Sequence, residues 1–192
     1  ESMSFVPSAG WKTVPSFAIA NDTPDYYLSM GLTAEAVAKE YGISREDQDA
    51  FALRSQQKAA AAQANGRLAV EIVPVTVAAG RGKTVEVAVD EHPRETTLAD
   101  LARLKPITRP DGSITAGNAS GVNDGAAALL LGSRAAGEKA GIKPLARIIA
   151  SAAIGVEPRI MGVGPAYAIP KALARAELTL ADMDIIEINE AF

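Results

Sequence analysis

Short apolar runs and helical stretches alternate in the second half of the chain, from residue 126 onward. Three short apolar runs, at 126–131, 145–154 and 184–188, are rich in Ala, Leu and Ile and have the length of strands buried on both faces. Two helical stretches lie between them: Ser133 is placed to cap the first, and Gly164-Pro165 opens the second. This alternation of strand and helix predicts α/β organisation from residue 126 onward.

The first 110 or so residues lack this alternation of strand and helix. Residues 1–30 contain three prolines and scattered aromatic residues, and they predict an irregular, covered segment. Three helices are predicted after it from residues that can cap a helix or end one. They run from Thr33 to Tyr41, from Ser44 (with Asp47 in a capping box) to Gly66, and from Thr97 (with Asp100) to about Leu104.

A β-hairpin is predicted between the second and third of these helices. Its strands are residues 72–77 and 84–90, joined through Gly80-Arg81-Gly82-Lys83. The same glycines resemble the tail of a phosphate loop, but Val77 stands where that motif requires its first glycine. Because the following residues alternate as a strand and not as a helix, the hairpin is the favoured interpretation.

Composition removes several classes of function. The 192-residue chain is 48% hydrophobic, which suffices for a core, and its net charge of −4 argues against nucleic acid as the main partner. It contains no cysteine and one histidine, His92, which excludes disulfides, a cysteine nucleophile and a multi-histidine metal site within these residues. No apolar run approaches the length of a membrane span.

The segment from Thr115 to Gly125 combines small and polar residues directly before an apolar run. Its three glycines and two asparagines permit tight turns and a close approach of backbone to a ligand. Residue chemistry leaves two interpretations open, a ligand-binding loop and a tight connection between core elements. Ser120 lacks the glycine spacing of a hydrolase nucleophile, and Gly162-Val163-Gly164 lacks the third glycine of a dinucleotide fingerprint.

Four motifs resemble those of thiolases, in the order in which that family carries them. They are Met-Gly-Leu-Thr-Ala-Glu at 30–35, Asn-Ala-Ser-Gly-Val-Asn-Asp-Gly-Ala-Ala at 118–127, Met-Gly-Val-Gly-Pro at 161–165, and Ile-Ile-Glu-Ile-Asn-Glu-Ala-Phe at 185–192. The likeness spans essentially the whole chain and is strongest to the degradative 3-ketoacyl-CoA thiolases.

The resemblance implies a layered α/β core with a mixed sheet that carries an inserted loop domain. The loop domain is expected at residues 1–112, the end of the N-terminal core half at 113–142, and the start of the C-terminal core half at 143–192.

Seven residues take functional roles by the resemblance. Asn189 would hold a water that, with a histidine, forms the oxyanion hole for the thioester carbonyl. The other six would contact coenzyme A or line its channel: Ala116, Ser120, Met30 and Met161 along the pantetheine arm, Phe192 beside the reacting end, and Arg94 at the phosphates. The cations around Arg94, which are Arg103, Lys105 and Arg109, also fit an ordinary solvated face.

An intact thiolase works by covalent catalysis with two cysteines and a histidine. This chain contains neither cysteine, and its one histidine is not in the corresponding place, so the resemblance places the nucleophile before Glu1 and the other two residues after Phe192. We therefore expect an acyl-CoA C-acyltransferase of fatty-acid or related acyl-CoA degradation whose central part is inactive alone. A non-catalytic thiolase-like acyl-CoA-binding or lipid-carrier protein and a purely structural fragment stay open as alternatives.

The resemblance also sets expectations for partners. Coenzyme A is expected as a substrate, with no permanently bound cofactor and no metal. A homodimer or homotetramer, a β-oxidation multienzyme partner and a cytoplasmic location of bacterial type are expected, without nucleic acid or a membrane span.

Overall fold

The computed structural model describes residues 14–192. They form two compact units: one contains the residues up to Glu40 together with Gly121–Ala191, and the other contains Tyr41–Ser120 with Phe192. The helices are α1 (Phe17–Asp22), α2 (Met30–Tyr41), α3 (Arg45–Ala64), α4 (Leu98–Ala102), α5 (Arg134–Ala140) and α6 (Gly164–Ala176), and the strands are β1 (Val75–Gly80) and β2 (Lys83–Val87). Short 3-10 helices span Pro24–Tyr27, Pro158–Val163 and Leu180–Asp182.

Helix α3 has the ends that its sequence predicts. The Ser44 hydroxyl accepts a hydrogen bond from the Asp47 backbone N–H at 3.0 Å, and the Asp47 carboxylate accepts one from the Ser44 backbone N–H at 3.3 Å. These two bonds form the predicted capping box and satisfy backbone donors that have no partner within the helix. Gly66, with φ +77°, follows the helix in the left-handed conformation and ends it.

Helix α4 begins with the second predicted capping box. The Thr97 hydroxyl accepts from the Asp100 backbone N–H, and the Asp100 carboxylate accepts from the Thr97 backbone N–H, both at 3.2 Å. The helix packs on α3, and Leu101 is buried together with Ile114. These two apolar side chains form the small core of the unit spanning 41–120.

The hairpin exists, but its bounds differ from the predicted ones. Strand β1 runs on to Gly80, which pairs with Lys83, so only Arg81 and Gly82 remain as the turn. Both turn residues have positive φ, at 50° and 73°, as the twist of a two-residue hairpin requires. The predicted bounds, 72–77 and 84–90, are wrong because pairing begins at Val75, continues past the apolar alternation to Gly80, and ends at Val87.

The predicted start of α2 is wrong. The helix begins at Met30, and Thr33 lies inside it with its hydroxyl donating to the Met30 carbonyl at 2.7 Å. Ser29 takes the capping position, since its carbonyl accepts from the Thr33 backbone N–H and its hydroxyl accepts from the Leu32 backbone N–H. Ser29 and Thr33 both have a hydroxyl that can cap a helix, and they lie four positions apart. Thr33 is buried within the helix, and Ser29 is the residue that caps it.

Residues 1–13 lie outside the described part of the chain, so the prediction for 1–30 applies only from residue 14. There the structure has α1 and a 3-10 helix whose side chains are exposed, and not a covered irregular segment.

The three predicted buried strands are absent from the described residues. Residues 126–131, 145–154 and 184–188 pair with no other backbone, and β1 and β2 form the one sheet found within 14–192. Their side chains are largely exposed, with Leu129 at 87% and Ile185 at 84%. The prediction is wrong for this chain because an apolar run becomes a strand only where neighbouring strands supply hydrogen bonds. Helices α5 and α6 between these segments form as predicted, with the Ser133 hydroxyl capping α5.

Candidate functional site

The loop 115–120 of the second unit turns two of its residues to the interior and two to solvent. Thr115 is fully buried and Asn118 is buried, whereas Ala116 and Ser120 are exposed. The fold therefore places the two residues with predicted pantetheine contacts on the open side of one tight loop.

Asn118 holds this loop through three hydrogen bonds of its side chain. Its Oδ1 accepts from the Thr115 backbone N–H at 2.7 Å, and its Nδ2 donates to the Ser113 carbonyl and to Asp49 Oδ1, each at 3.0 Å. The amide thus uses its acceptor and both of its donors in a buried place, which fixes the path of the backbone between 113 and 118.

Gly117 brings the same loop against the end of α4. A Cβ atom on this residue would lie 2.5 Å from Leu101 Cδ2 and 2.6 Å from Leu104 Cδ1. Such distances are too short for carbon atoms in contact, so a larger residue at 117 would have to displace the two leucine side chains, of which Leu101 is buried.

Arg94 lies at the edge of a cleft of about 460 Å³ between α3 and the segment that leads into α4. Its backbone N–H donates to Gln56 Oε1 at 3.0 Å, and its side chain is exposed. The cleft combines apolar and amide groups of α3 with charged and hydroxyl groups of the opposite wall. It is lined by Leu53, Gln56, Gln57, Ala60, Arg94, Glu95, Thr96, Thr97 and Asp100.

The charge of Asp100 at this cleft is fixed by its neighbours. Hydrogen bonding from the Thr97 hydroxyl, and then from the Arg103 guanidinium, holds the pKa of its carboxyl below the ordinary 3.8. Asp100 therefore stays ionised at neutral pH and offsets the positive charge of Arg103, with which it forms an ion pair.

The first unit holds Met30 and Met161. Met30 begins α2, Met161 lies in the 3-10 helix at Pro158–Val163, and both are roughly half exposed. That 3-10 helix lies against α2: Arg159 Nη1 is 2.5 Å from Glu40 Oε2, and a Cβ on Gly162 would lie 3.7 Å from Val37 Cγ2. The hydrogen bond with Glu40 raises the pKa of the Arg159 guanidinium.

Asn189 and Phe192 lie near the end of the chain, in a segment without helix or strand, and both side chains are exposed. The structure brings Ala116 and Ser120 together on one loop, in the same unit as Arg94. Met30, Met161 and Asn189 belong to the other unit. Within residues 14–192 no group of three or more His, Cys, Asp or Glu side chains is placed to hold a metal ion. None of the described helices is long and apolar enough to cross a membrane.

Two family descriptions match this chain. "Thiolase, N-terminal domain" covers residues 14–135, and "Thiolase, C-terminal domain" covers residues 142–192. The chain belongs to the thiolase family.

Named thiolases are similar along most of the chain. "Beta-ketoadipyl-CoA thiolase" of Acinetobacter baylyi is 58% identical over 165 residues, which are 85% of this chain and 41% of that protein. "3-ketoacyl-CoA thiolase" of Bacillus subtilis is 48% identical over 201 aligned positions, covering 100% of this chain and 51% of that protein. The chain thus spans about half, or somewhat less, of the length of these thiolases.

Solved thiolase structures share the fold. The Bacillus anthracis acetyl-CoA acetyltransferase superposes with a TM-score of 0.78 at 49% identity, over 86% of this chain and 42% of that one. Human mitochondrial 3-ketoacyl-CoA thiolase gives 0.77 at 46% identity, over 86% and 41%. The expected α/β thiolase fold is therefore confirmed. The chain forms only part of that fold, since it covers about two-fifths of each solved structure. The division into a loop domain and two core halves stays a prediction.

Sequence reasoning missed two residues that support the loop 115–120 from its buried side, Arg45 and Asp49. Their four-residue spacing on a helix predicts a local ion pair. It gives no sign that Asp49 meets Asn118, 69 positions further along the chain.

Proposed function

We propose that the protein containing this chain is a thiolase in the catalytic sense, an acyl-CoA C-acyltransferase. It would cleave a 3-oxoacyl-CoA with coenzyme A to give acetyl-CoA and an acyl-CoA shortened by two carbons. Family membership, together with relatives named as thiolases, carries this proposal. The 192 residues contain no cysteine, so we expect them to be inactive in thiolysis by themselves.

The substrate class proposed is a 3-oxoacyl-CoA of acyl-CoA degradation, with 3-oxoadipyl-CoA the first substrate to test. Six relatives at 52% to 58% identity bear the name beta-ketoadipyl-CoA thiolase, and the Bacillus subtilis 3-ketoacyl-CoA thiolase is 48% identical. A comparison of kcat/KM for 3-oxoadipyl-CoA and for an unbranched 3-oxoacyl-CoA of similar length decides between a dicarboxylic and a fatty-acyl substrate.

Coenzyme A is proposed as a substrate that the chain holds at several places, without any permanently bound cofactor. The exposed Ala116 and Ser120 suit the pantetheine arm, because a small side chain leaves room and a hydroxyl can bond an amide. Met30, Met161 and Phe192, each between two-fifths and half exposed, offer apolar surface of the kind that a pantetheine arm can contact.

Arg94 is the proposed contact for the phosphates of coenzyme A. Its guanidinium can bind a phosphate through two parallel hydrogen bonds, and the adjoining cleft has apolar and amide groups suited to a planar base. Asn189 is proposed to hold the water that completes the oxyanion hole, since an amide donor can fix a water where negative charge develops.

Calorimetric titration with coenzyme A tests whether Arg94 contacts its phosphates. Arg94→Gln should weaken binding by about tenfold, which corresponds to the loss of roughly one charge-assisted hydrogen bond. The matched control is Arg67→Gln, at an exposed arginine just after α3 and outside the cleft, and it should leave the affinity unchanged. Equal effects of the two substitutions would contradict the assignment and leave only a general effect of positive charge.

Two further properties rest on the family resemblance and are proposed with it. We propose a homodimer or homotetramer in a bacterial-type cytoplasm, with a multienzyme complex of acyl-CoA breakdown as a partner. Light scattering on the purified protein measures the first property directly, and a monomer at working concentration would contradict it.

A further inference from the structure

A chain of buried polar side chains runs behind the 115–120 loop. It begins at Arg45 in the first turn of α3, passes to Asp49 one turn later, and ends at Asn118. Arg45 Nε is 2.8 Å from Asp49 Oδ2, and the side chains of the pair are 21% and 6% exposed. Asp49 Oδ1 accepts from Asn118 Nδ2 at 3.0 Å.

The Asp49 carboxylate is thus satisfied on both oxygens. This matters because a carboxylate buried without partners costs far more than the ion pair returns, and loss of one partner leaves the other charge uncompensated. Neutral Asn118 and charged Arg45 therefore depend on one another through Asp49. A change at any of the three residues alters the hydrogen bonding of the other two.

Arg45 also ties this chain of bonds to α4. Its Nη2 donates to the Leu101 carbonyl at 2.7 Å and to the Leu104 carbonyl at 3.1 Å, where the short helix ends. Leu101 and Leu104 are the same leucines that lie against Gly117 of the loop. The loop is therefore held at Asn118 by hydrogen bonds and at Gly117 by packing, and Arg45 connects both places.

Asparagine at 118 provides one acceptor and two donors on a short side chain, and the structure uses all three. Its oxygen faces a backbone N–H, while its nitrogen faces a carboxylate and a carbonyl. An aspartate would turn an oxygen toward Asp49 and toward the Ser113 carbonyl, and an alanine would leave the buried Thr115 N–H without this acceptor. With 115 and 118 turned inward, 116 and 120 face solvent.

We propose that Arg45, Asp49 and Asn118 are positioning residues that fix the 115–120 loop so that Ala116 and Ser120 meet the pantetheine arm of coenzyme A. The inference rests on the proposed function for its ligand, but the arrangement of the loop can be tested without a ligand. None of the three side chains needs to touch coenzyme A, because they act through the backbone between 115 and 120.

The experiment compares four variants with the unaltered chain: Asn118→Asp, Asp49→Asn, the double exchange Asp49→Asn with Asn118→Asp, and Ser44→Ala. Asn118→Asp sets two carboxylates against each other, and Asp49→Asn leaves an amide NH₂ facing a donor, either Asn118 Nδ2 or Arg45 Nε. The double exchange restores a donor facing an acceptor between the two positions. Ser44→Ala removes the cap of the same helix, and so lowers its stability, while all three positioning side chains remain.

The first readout is amide hydrogen exchange of residues 115–120 without ligand. Both single exchanges should speed exchange at the Thr115 and Gly117 amides at least tenfold, the double exchange should recover part of that protection, and Ser44→Ala should leave these two amides as they are. Equal acceleration by Ser44→Ala, or no recovery in the double variant, would overturn the positioning role.

The second readout is the affinity for coenzyme A in the protein that contains this chain. We expect the single exchanges to raise the Kd and the KM for coenzyme A tenfold or more. They should change kcat less than threefold and leave the shape of its pH profile as it is. The double exchange should recover part of the affinity. A fall in kcat with unchanged KM would overturn the assignment to coenzyme A binding.

The two readouts separate failure of this inference from failure of the proposed function. If the unaltered protein does not bind coenzyme A but shows the expected exchange pattern, the proposed function and the ligand assignment are wrong. The positioning of the loop by the three residues would still stand. If a single variant does not fold, Arg45→Lys replaces it, since lysine keeps the charge beside Asp49 but cannot reach both the Leu101 and the Leu104 carbonyl. That variant should speed exchange at the Gly117 amide, and an unchanged rate would count against the inference.

Discussion

At the scale of single residues, the loop 115–120 depends on close fit as much as on hydrogen bonds. Gly117 leaves no room for a methyl group beside Leu101 and Leu104, although its backbone is not left-handed. The constraint is steric, and it appears only where α4 and the loop meet in space.

Gly117→Ala should therefore destabilise the chain. Because the two leucine side chains must move to admit the new methyl group, we expect a loss of about 1–3 kcal/mol in the free energy of unfolding. Chemical denaturation measures this loss. Gly132→Ala is the matched control, since nothing lies within 4 Å of its added Cβ, and it should change stability by no more than about 0.5 kcal/mol. Similar values for the two substitutions would show that the loop does not pack as described.

A second prediction concerns Asp100, whose pKa is lowered chiefly by the Thr97 hydroxyl. Since the pKa is lower in the folded chain than in the unfolded one, the ionised carboxylate stabilises α4 above pH 3.8, and this stabilisation is lost as pH falls through the lowered value. Thr97→Val should raise the pKa of Asp100 toward its ordinary value, as measured by carboxyl NMR titration.

Asp182 provides an internal control in the same sample. Its pKa is lowered by hydrogen bonding from Thr179, in a capping box of its own near the end of the chain. Thr97→Val should leave this second titration where it is. A joint movement of both titrations would point to a general change in the fold instead of the loss of one hydrogen bond.

At the scale of helices and strands, local chemistry predicted much of what the structure has. Ser44 with Asp47, Thr97 with Asp100, and Ser133 all cap helices at the predicted positions. These predictions succeed because a cap depends on residues within three or four positions of each other. The prediction at Thr33 fails because Ser29 and Thr33 have the same local capping chemistry. Burial of Thr33, which the local sequence does not show, distinguishes the two.

Helix α6 ends at an unfavourable residue. Glu177 adopts a left-handed conformation with φ +56°, where a side chain is strained and glycine is common. We expect Glu177→Gly to stabilise the chain by about 0.5–1 kcal/mol in a thermal or chemical unfolding experiment. Ala174→Gly, within the same helix and exposed, is the opposite control and should cost about 1 kcal/mol. Destabilisation by both would mean that the strain at Glu177 is absent.

At the scale of the whole molecule, the sequence predicted the family but not the state of its apolar segments. The motifs around Asn118 and Asn189 are local strings, so they can be read without any knowledge of packing. Whether residues 129–131 pair as a strand depends on backbone from elsewhere, which no local pattern contains. The contact of Asp49 with Asn118 is another such long-range fact.

Exposure of these segments predicts how the 192-residue chain behaves in solution. Leu129, Leu130 and Leu131 are 87%, 85% and 71% exposed, a run of apolar surface that is unusual for a monomer. We expect the chain to bind a hydrophobic fluorescent dye and to associate as its concentration rises. Replacing the three leucines by serine should lower dye fluorescence several-fold. Dye fluorescence as low as that of a well-packed protein would show that these segments are covered.

The proposed function makes this chain part of an enzyme that splits 3-oxoacyl-CoA with coenzyme A. The measurement that tests it most directly is product analysis after the purified protein containing this chain is incubated with 3-oxoadipyl-CoA and coenzyme A. We predict acetyl-CoA and succinyl-CoA in equal amounts. Prior alkylation of the protein's thiols should abolish both products, because thiolysis proceeds through a cysteine nucleophile, which these 192 residues do not contain. Tight binding of coenzyme A with neither product formed would contradict the enzyme and support a thiolase-like carrier.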